Sequence, residues 1–494
     1  MQSQSQSQAR AQTGVFRQLV GELMGPPTLA VGPETSVRDL VGRMTGEKAS
    51  CAVVIDEAGC ILGIVTEQDV TRRVALRATP QTKTGEIMTE GVQTIGLDDF
   101  LFRGISRMRR FGHRHMPVVA TDGKLAGHLE LDTALAAASE RTMARIDLLT
   151  RESTVDGMGE VKAAQIALAQ ELFADEVPTP EIQALLTDIN NAIYRRLTDA
   201  GVAAMAADGK GEPPVAFAAI VMGSGGRDEN MLFPDQDNGF ILADYEDREH
   251  NRIDGWFRDL AVRLNDMLDQ VGFPLCKGYV MAQNPLWRKT ESQWRAQIAG
   301  WQKKRDTTAL RLADIFFDFR WVYGDRAMAS RLRRHVTELT KGNHSFLREM
   351  YRDDAEHGIA LGWFGRFITV RDNAKHRGKI NLKHTGTLPL IEGARLLALR
   401  EGIEDGPTLK RIDLLAEKKI LDADEQDYLS GAFRHMNRLI LRQQLRDHAV
   451  GGEATAYVSP KAMSAREKDY LRDCFRAVRT FRSRLRSEFT GEVF

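Results

Sequence analysis

Four cysteines in 494 residues are too few and too scattered for a disulfide framework. Cys51, Cys60, Cys276 and Cys474 show no metal-ligand spacing, and a reducing cytoplasm is their natural setting. Net charge is absent too, because 68 Lys and Arg balance 68 Asp and Glu. A neutral chain has no long-range field to recruit nucleic acid, which counts against a nucleic-acid partner, although a local patch is not excluded. No apolar stretch approaches the length of a membrane span. The N-terminus alternates Gln and Ser and lacks the apolar core of a signal peptide, so residues 1–21 read as a disordered tail.

The length predicts three or four domains. Residues 215–222 form an apolar run that reads as a buried strand, and Gly223 and Ser224 follow it as a tight turn. Backbone N–H groups of such a turn, with the Ser224 hydroxyl, can face an anion. Asp235 and Asp237 stand one residue apart at the head of a second apolar run, 237–243. On a strand, side chains at i and i+2 share a face, so the two carboxylates converge. Two convergent carboxylates beside a phosphate-binding turn suit Mg²⁺ carrying a nucleoside triphosphate.

Gly223, Ser224, Gly226, Arg227, Glu229, Asp235 and Asp237 are in register with a known motif. It resembles the nucleotidyltransferase superfamily of DNA polymerase beta, in particular the nucleotidyltransferase module of PII-protein uridylyltransferases. It is closer still to CBS-domain-linked nucleotidyltransferases, which share Asp-Gln-Asp-Asn here. Gln236 departs from the usual apolar middle residue. The resemblance implies an NTP substrate held by Gly223, Ser224, Gly225, Gly226 and Arg227. Asp235 and Asp237 would be catalytic and metal-binding. Arg227 either neutralises the triphosphate or pairs with Glu229. The uridylyltransferase pattern also implies a third catalytic and metal-binding acid before Gly324-Asp325. Asp318 is in that register, Asp314 is its competitor one helical turn earlier, and a plain Asp318–Arg320 ion pair is the alternative. Lys383 and Arg395 fall in a stretch that resembles the C-terminal domain of the CBS-linked family. The His-Asp dipeptide at the core of the hydrolase domain of PII uridylyltransferases is missing.

Residues 22–140 repeat themselves. A shift of 64 aligns Met24 with Met88, Val31 with Ile95, Val37 with Leu101, Met44 with Met108, Val54 with Val118, Gly59 with Gly123 and Gly63 with Gly127, without a gap. Each copy reads as an amphipathic helix followed by a hairpin with Gly in the turn. This is similar to a pair of CBS domains. The ribose-binding signature of that family matches the first copy at Gly63, Thr66 and Asp69, which implies an adenosine nucleotide (AMP, ADP or ATP). The second copy has Glu130 for the Thr and Thr133 for the Asp. A pair without ligand serves as a plate for homodimers. His113 and His115 lack a third ligand nearby and read as structural or solvent-facing.

The expected fold is α+β and multidomain. A tail (1–21) precedes CBS domain 1 (22–82), CBS domain 2 (83–140) and a helical connector (141–212) broken at Pro178 and Pro180, with Thr179 as a cap. A polymerase-beta-like mixed sheet with helices (213–335), including a third strand at 275–281, and a helical domain (336–494) complete it. The expected activity is transfer of an NMP from an NTP to a hydroxyl, on an acceptor protein, under nucleotide control, with no membrane involved. The alternative is a non-catalytic nucleotide-sensing regulatory protein.

Overall fold

The computed structural model describes residues 19–26, 29–74, 78–137, 154–354 and 358–491. Most of the expected tail, and the connector up to residue 153, lie outside the described residues. The chain divides into two compact units between residues 152 and 153.

The first unit is α+β and realises the repeat. Its first copy contains β1 (Ala30–Val31), α1 (Val37–Gly46), β2 (Cys51–Ile55) and β3 (Ile61–Thr66). After β4 (Thr89–Glu90) come β5 (Ile95–Gly96), α2 (Leu101–Phe111), β6 (His115–Val119) and β7 (Leu125–Glu130). The hairpins β2–β3 and β6–β7 sit 64 positions apart, as the sequence shift predicts. Ser36 caps α1 by accepting the Asp39 N–H at 3.1 Å, and Val37, Leu40 and Met44 face inward at helical spacing. Gly59 and Gly123 take φ of +86° and +80° in the hairpin turns.

The two copies complete each other. β4, from the start of the second copy, pairs antiparallel with β3. Gly25, from the start of the first copy, bridges to His128 on β7. Met88 accordingly packs over Gly63, where a Cβ would lie 2.5 Å from its sulfur, and Met24 packs over Gly127, where the distance would be 2.7 Å. Gly63 is therefore required by packing between the copies.

In the second unit, α3 (Val155–Ala174) and α4 (Thr179–Ala207) pack against α5 (His250–Val271). The prolines do break the helices, but Pro178 is the N-cap and Thr179 the first helical residue, without a side-chain cap. Pro180 fits there because the first helical turn needs no N–H donors. The sheet runs β10 (Arg288–Thr290), β9 (Asn238–Leu242), β8 (Phe217–Val221), β11 (Arg320–Gly324). β10 is parallel to β9, and the other pairs are antiparallel. β8 and β9 are buried throughout, as central strands covered on both faces should be. The expected strand at 275–281 is a turn instead, closed by Tyr279 N–H donating to the Cys276 carbonyl at 3.0 Å. Lys277 and Gly278 break the apolar run there. The segment still flanks the acids, because Gln236 and Asn238 donate their N–H groups to the Pro274 and Val280 carbonyls.

Around the sheet lie α6 (Glu291–Lys304), α7 (Thr307–Phe316), α8 (Arg326–Thr340), α9 (His344–Asp354), α10 (Leu388–Glu401), α11 (Thr408–Glu417), α12 (Ala423–Ala449) and α13 (Ala465–Thr490). One continuous core joins the sheet (Ile220, Ile241), Trp287 and Trp294, and the C-terminal helices (Phe433, Phe475). No helix of the described residues is long and apolar enough to cross a membrane.

Gly63→Val tests the packing between copies. We expect a loss of about 1–3 kcal/mol from overpacking, partly restored by adding Met88→Ala, read by urea unfolding of the full chain. A fully stable Gly63→Val protein would contradict the arrangement.

Candidate functional site

β8 ends at Val221, and Gly223–Gly226 winds into one helical turn. Gly223 has φ +56°, and a Cβ there would lie 2.9 Å from Asp237 Oδ2. The turn and the second acid are thus in close approach, and glycine is what permits it. Met222 N–H donates to the Asp237 carbonyl at 2.9 Å, which fixes the register of the acid segment on β8. Asp235 is exposed, Asp237 half-buried, and Gln236 between them fully buried. Gln236 Nε2 donates to the Asn265 and Phe273 carbonyls at 3.0 and 2.8 Å. That anchor turns Gln236 inward and the two acids outward together. The polar middle residue is explained by this contact with α5. Ser224, Asp235 and Asp237 line one small pocket with Asn230, Tyr194 and Phe273.

Burial pushes the Asp237 carboxyl up to about 6, and Asp235 adds to the rise. The Cys276 thiol, Lys383 and Arg227 oppose it. Lys383 is exposed, and its charge, from the C-terminal region, acts on Asp237. Two hard oxygen ligands on adjacent strand-like positions fit Mg²⁺, which commonly takes one or two protein carboxylates and completes its shell from water and phosphate. Ser224 Oγ donates to Asn230 Oδ1 at 2.9 Å.

Asp318 is not with this pair. Its carboxylate is 1% exposed and lies among three guanidinium groups: Arg227 and Arg395, each at 2.7 Å, and Arg411 at 2.8 Å. Burial alone would raise its pKa, but Arg395, Arg411 and Arg227 hold it far below the carboxylate range. Its Oδ2 accepts from Arg227 and Arg395 and its Oδ1 is ion-paired with Arg411, so its carboxylate is engaged by arginines and does not line the pocket that holds Asp235 and Asp237. The simple pair with Arg320 is corrected too, since Arg320 binds Asp228. Arg227 bonds Glu229 through Nε and Asp318 through Nη1, which realises the pairing with Glu229. Gly226 lies against this cluster: a Cβ there would run into the Asp318 carbonyl oxygen. Asp314 lies in a separate acidic group with Asp354 and Glu392, and Arg395 reaches it. Burial pushes Asp314 up to about 6.

The family described as "Putative nucleotidyltransferase DUF294" matches residues 163–308. "Putative nucleotidyltransferase substrate binding domain" matches 344–489, and "CBS domain" matches 20–76 and 85–140. The chain carries CBS domains and both DUF294 domains. An uncharacterised 17.7 kDa protein of Acidianus ambivalens is 26% identical over 125 residues, 25% of this chain and 76% of that protein. A homoserine O-acetyltransferase of Methanococcoides burtonii is 29% identical over 111 residues, and the chain spans only 22% of its length. Among solved structures, a CBS-domain protein from Agrobacterium tumefaciens is 29% identical (24% of this chain, 98% of that one, TM-score 0.23). The CBS-pair protein CBSX2 from Arabidopsis thaliana is 25% identical (24% and 93%, TM-score 0.22).

In the CBS unit, Thr66 and Asp69 line a cleft of about 880 Å³ together with Arg114, His113, His115 and Glu130. Thr66 Oγ1 donates to Asp69 Oδ2 at 2.7 Å, and the two residues cap a short helix. Glu130 of the second copy thus faces the same cleft as the matching signature of the first. Gly63 lies under Met88 and does not line the cleft. His113 is exposed, and His115 sits half-buried 3.9 Å from Glu130.

Sequence reasoning missed Lys162 on α3. Its buried amine donates to Gln165 Oε1 (2.9 Å), Asn190 Oδ1 (3.1 Å) and the Leu232 carbonyl (3.2 Å), and lies over the Phe273 ring. It steadies the loop that leads to Asp235. The only sequence signal was a lysine next to core-facing Val161.

Two outcomes follow for this site. Asp318→Asn leaves three buried guanidinium groups under-neutralised and is expected to cost about 3–5 kcal/mol by denaturant unfolding, which a mere metal ligand would not. Burial lowers the Lys162 amine to about 7 from 10.5. Between those values the unfolded chain holds a proton that the folded chain has released, so stability rises with pH across that window. Urea midpoints at pH 7 and 9 should show this rise in the parent and lose it in Lys162→Met. Equal slopes in both proteins would contradict the assignment.

Proposed function

We propose that the nucleotidyltransferase domain moves an NMP from an NTP to a hydroxyl on an acceptor protein. The observation that carries this reading is the convergence of Asp235 and Asp237 on the Gly223 turn, with Asp237 Oδ2 within 2.9 Å of a Cβ position on Gly223. Asp235 and Asp237 would hold Mg²⁺, which supplies charge neutralisation at the triphosphate and at the attacking oxygen. N–H groups at the head of the Gly223–Gly226 turn lack intrahelical acceptors and would meet the phosphates. Ser224 joins them when its hydroxyl rotates away from Asn230. Lys383 supplies the positive charge that Arg227, bound to two acids, does not. The acceptor hydroxyl gives its proton to water as its oxygen attacks the α-phosphorus, the bond from that phosphorus to the α–β bridging oxygen breaks, and pyrophosphate leaves.

A non-catalytic nucleotide sensor is the second reading. The observation that favours it is the engagement of Asp318 by arginines, which leaves two acids where the resemblance implied three. The CBS cleft is the proposed regulatory site, with Thr66 and Asp69 on the ribose and phosphate of an adenosine nucleotide. Arg114 favours a phosphate there and Glu130 opposes it. A cytoplasmic homodimer formed through the CBS domains completes the proposal. Regulation requires different nucleotide affinities in the active and inactive states.

Incubation with each α-labelled NTP, Mg²⁺ and cell extract should label a protein. Asp235→Asn with Asp237→Asn should abolish labelling and Mg²⁺-dependent NTP binding while the melting temperature holds. Binding of MgNTP without labelling of any protein would favour the sensor. For the CBS cleft, calorimetry with AMP, ADP and ATP on the full chain should show one site lost in Asp69→Ala. Absence of heat with all three ligands would leave the pair as a dimer plate.

A further inference from the structure

The substrate-binding domain displays two aromatic rings at the tip of a braced turn. Trp363 is 88% exposed and Phe364 98% exposed, with Ile368 at 55% beside them. Phe364 adopts φ +57° and Gly365 φ +69°, so a bulky residue is held in the left-handed region. The turn is braced from outside itself. Gly362 N–H donates to the Arg366 carbonyl at 2.7 Å, Arg472 Nε donates to the Gly365 carbonyl at 3.0 Å, and Arg479 bonds the Leu361 carbonyl. Arg472 also lies over the Phe367 ring. A strained, multiply anchored turn that leaves a Trp and a Phe in water gains nothing for the fold of this chain. Large exposed aromatics of this kind mark interaction sites.

The turn is continuous with the catalytic edge. Ile368 N–H donates to the Ala360 carbonyl at 3.1 Å, and Ala360 N–H to the Thr385 carbonyl at 3.4 Å. Thr385 is two residues from Lys383, whose charge acts on Asp237. Three residues from Ala360 to Trp363 reach at most about 10 Å and two from Thr385 to Lys383 at most about 7 Å, so an extended segment of about ten residues can reach from the rings to Lys383. Residues 362–383 carry six cations (Arg366, Arg371, Lys375, Arg377, Lys379 and Lys383) against one acid, Asp372. Lys375 is paired with Glu453, and the remaining five leave a local excess of positive charge in a chain of zero net charge.

We infer that this turn and the basic segment behind it are the docking surface for the acceptor, and that the acceptor is an acidic polypeptide with an apolar pocket for Trp363 and Phe364. The inference rests on the transferase reading above. A polypeptide is favoured over a nucleic acid or a lipid surface by the surroundings of the rings. Arg472 and Arg476, which reach Gly365, are already paired with Asp469 and Asp473, whose side chains are 70% and 61% exposed. Those exposed carboxylates repel any anion at the tip, so the part of the acceptor over the rings is apolar and its acidic part lies over the basic segment; a polypeptide can separate the two, whereas a nucleic acid carries a phosphate at every residue. An aromatic anchor with an ion-paired rim is the anatomy of a protein hot spot.

The test uses a fluorescein-labelled random copolymer of Glu and Tyr as the acidic polypeptide probe, titrated with the full chain and followed by anisotropy. Trp363→Ala with Phe364→Ala, and separately Arg371→Glu with Lys379→Glu, should each weaken binding about tenfold or more. MgATP binding on the same samples should be unchanged, and so should the melting temperature, since all four side chains lie at the surface or its edge. No copolymer binding by the parent, or equal binding by both variants, overturns the inference. Tighter binding of poly(A) RNA or of phosphatidylserine vesicles through the same two rings also overturns it, in favour of a nucleic acid or a membrane. A parent that binds copolymer but none of MgATP, MgGTP, MgCTP and MgUTP would instead overturn the transferase reading alone.

Discussion

The Asp318 carboxylate, buried among Arg227, Arg395 and Arg411, joins three parts of the second unit that are far apart in sequence. Arg227 closes the turn after β8, Arg395 sits on α10 and Arg411 on α11. Glu229 extends the link, because it binds Arg227 and accepts the N–H of Thr408 at the start of α11 at 2.7 Å. Removing one partner from a buried ion cluster exposes the others to uncompensated desolvation, so such a cluster fixes geometry even where its net stabilisation is small. The result is that the turn after β8 cannot move independently of the substrate-binding domain.

That rigidity gives the two carboxylates their setting. Gln236 pins the acid segment to α5 from below, and Lys162 pins the loop before it. Asp235 and Asp237 are left facing outward, with Lys383 arriving from the other domain. Catalysis by nucleotidyl transfer asks mainly for position and charge, and little covalent chemistry from the protein. A site assembled across two domains of one compact unit, with its cation supplied by the domain that carries the exposed aromatic turn, suits a reaction in which NTP and acceptor must meet.

Much of this was legible in the sequence. The repeat at a shift of 64 predicted both hairpins, because a gapless repeat of apolar positions and turn glycines leaves little freedom in register. The i, i+2 acids and the glycine turn were legible because their spacing is local. The arginine cluster around Asp318 was not legible because its partners are not local: Arg227 and Arg395 lie 91 and 77 residues away. The strand expected at 275–281 failed at Lys277 and Gly278, where turn chemistry outweighed the apolar run. Trp363 and Phe364 gave no signal, since exposure of an aromatic is invisible until the fold is known.

The central claim is that metal and triphosphate meet at Asp235 and Asp237. It is tested most directly by anomalous diffraction from crystals grown with Mn²⁺ and a non-hydrolysable NTP analogue. The account predicts a manganese peak between the Asp235 and Asp237 carboxylates, with the phosphates over the Gly223–Gly226 turn. A peak among Asp314, Asp354 and Glu392, or one bound by Asp318 with its arginines displaced, would contradict it.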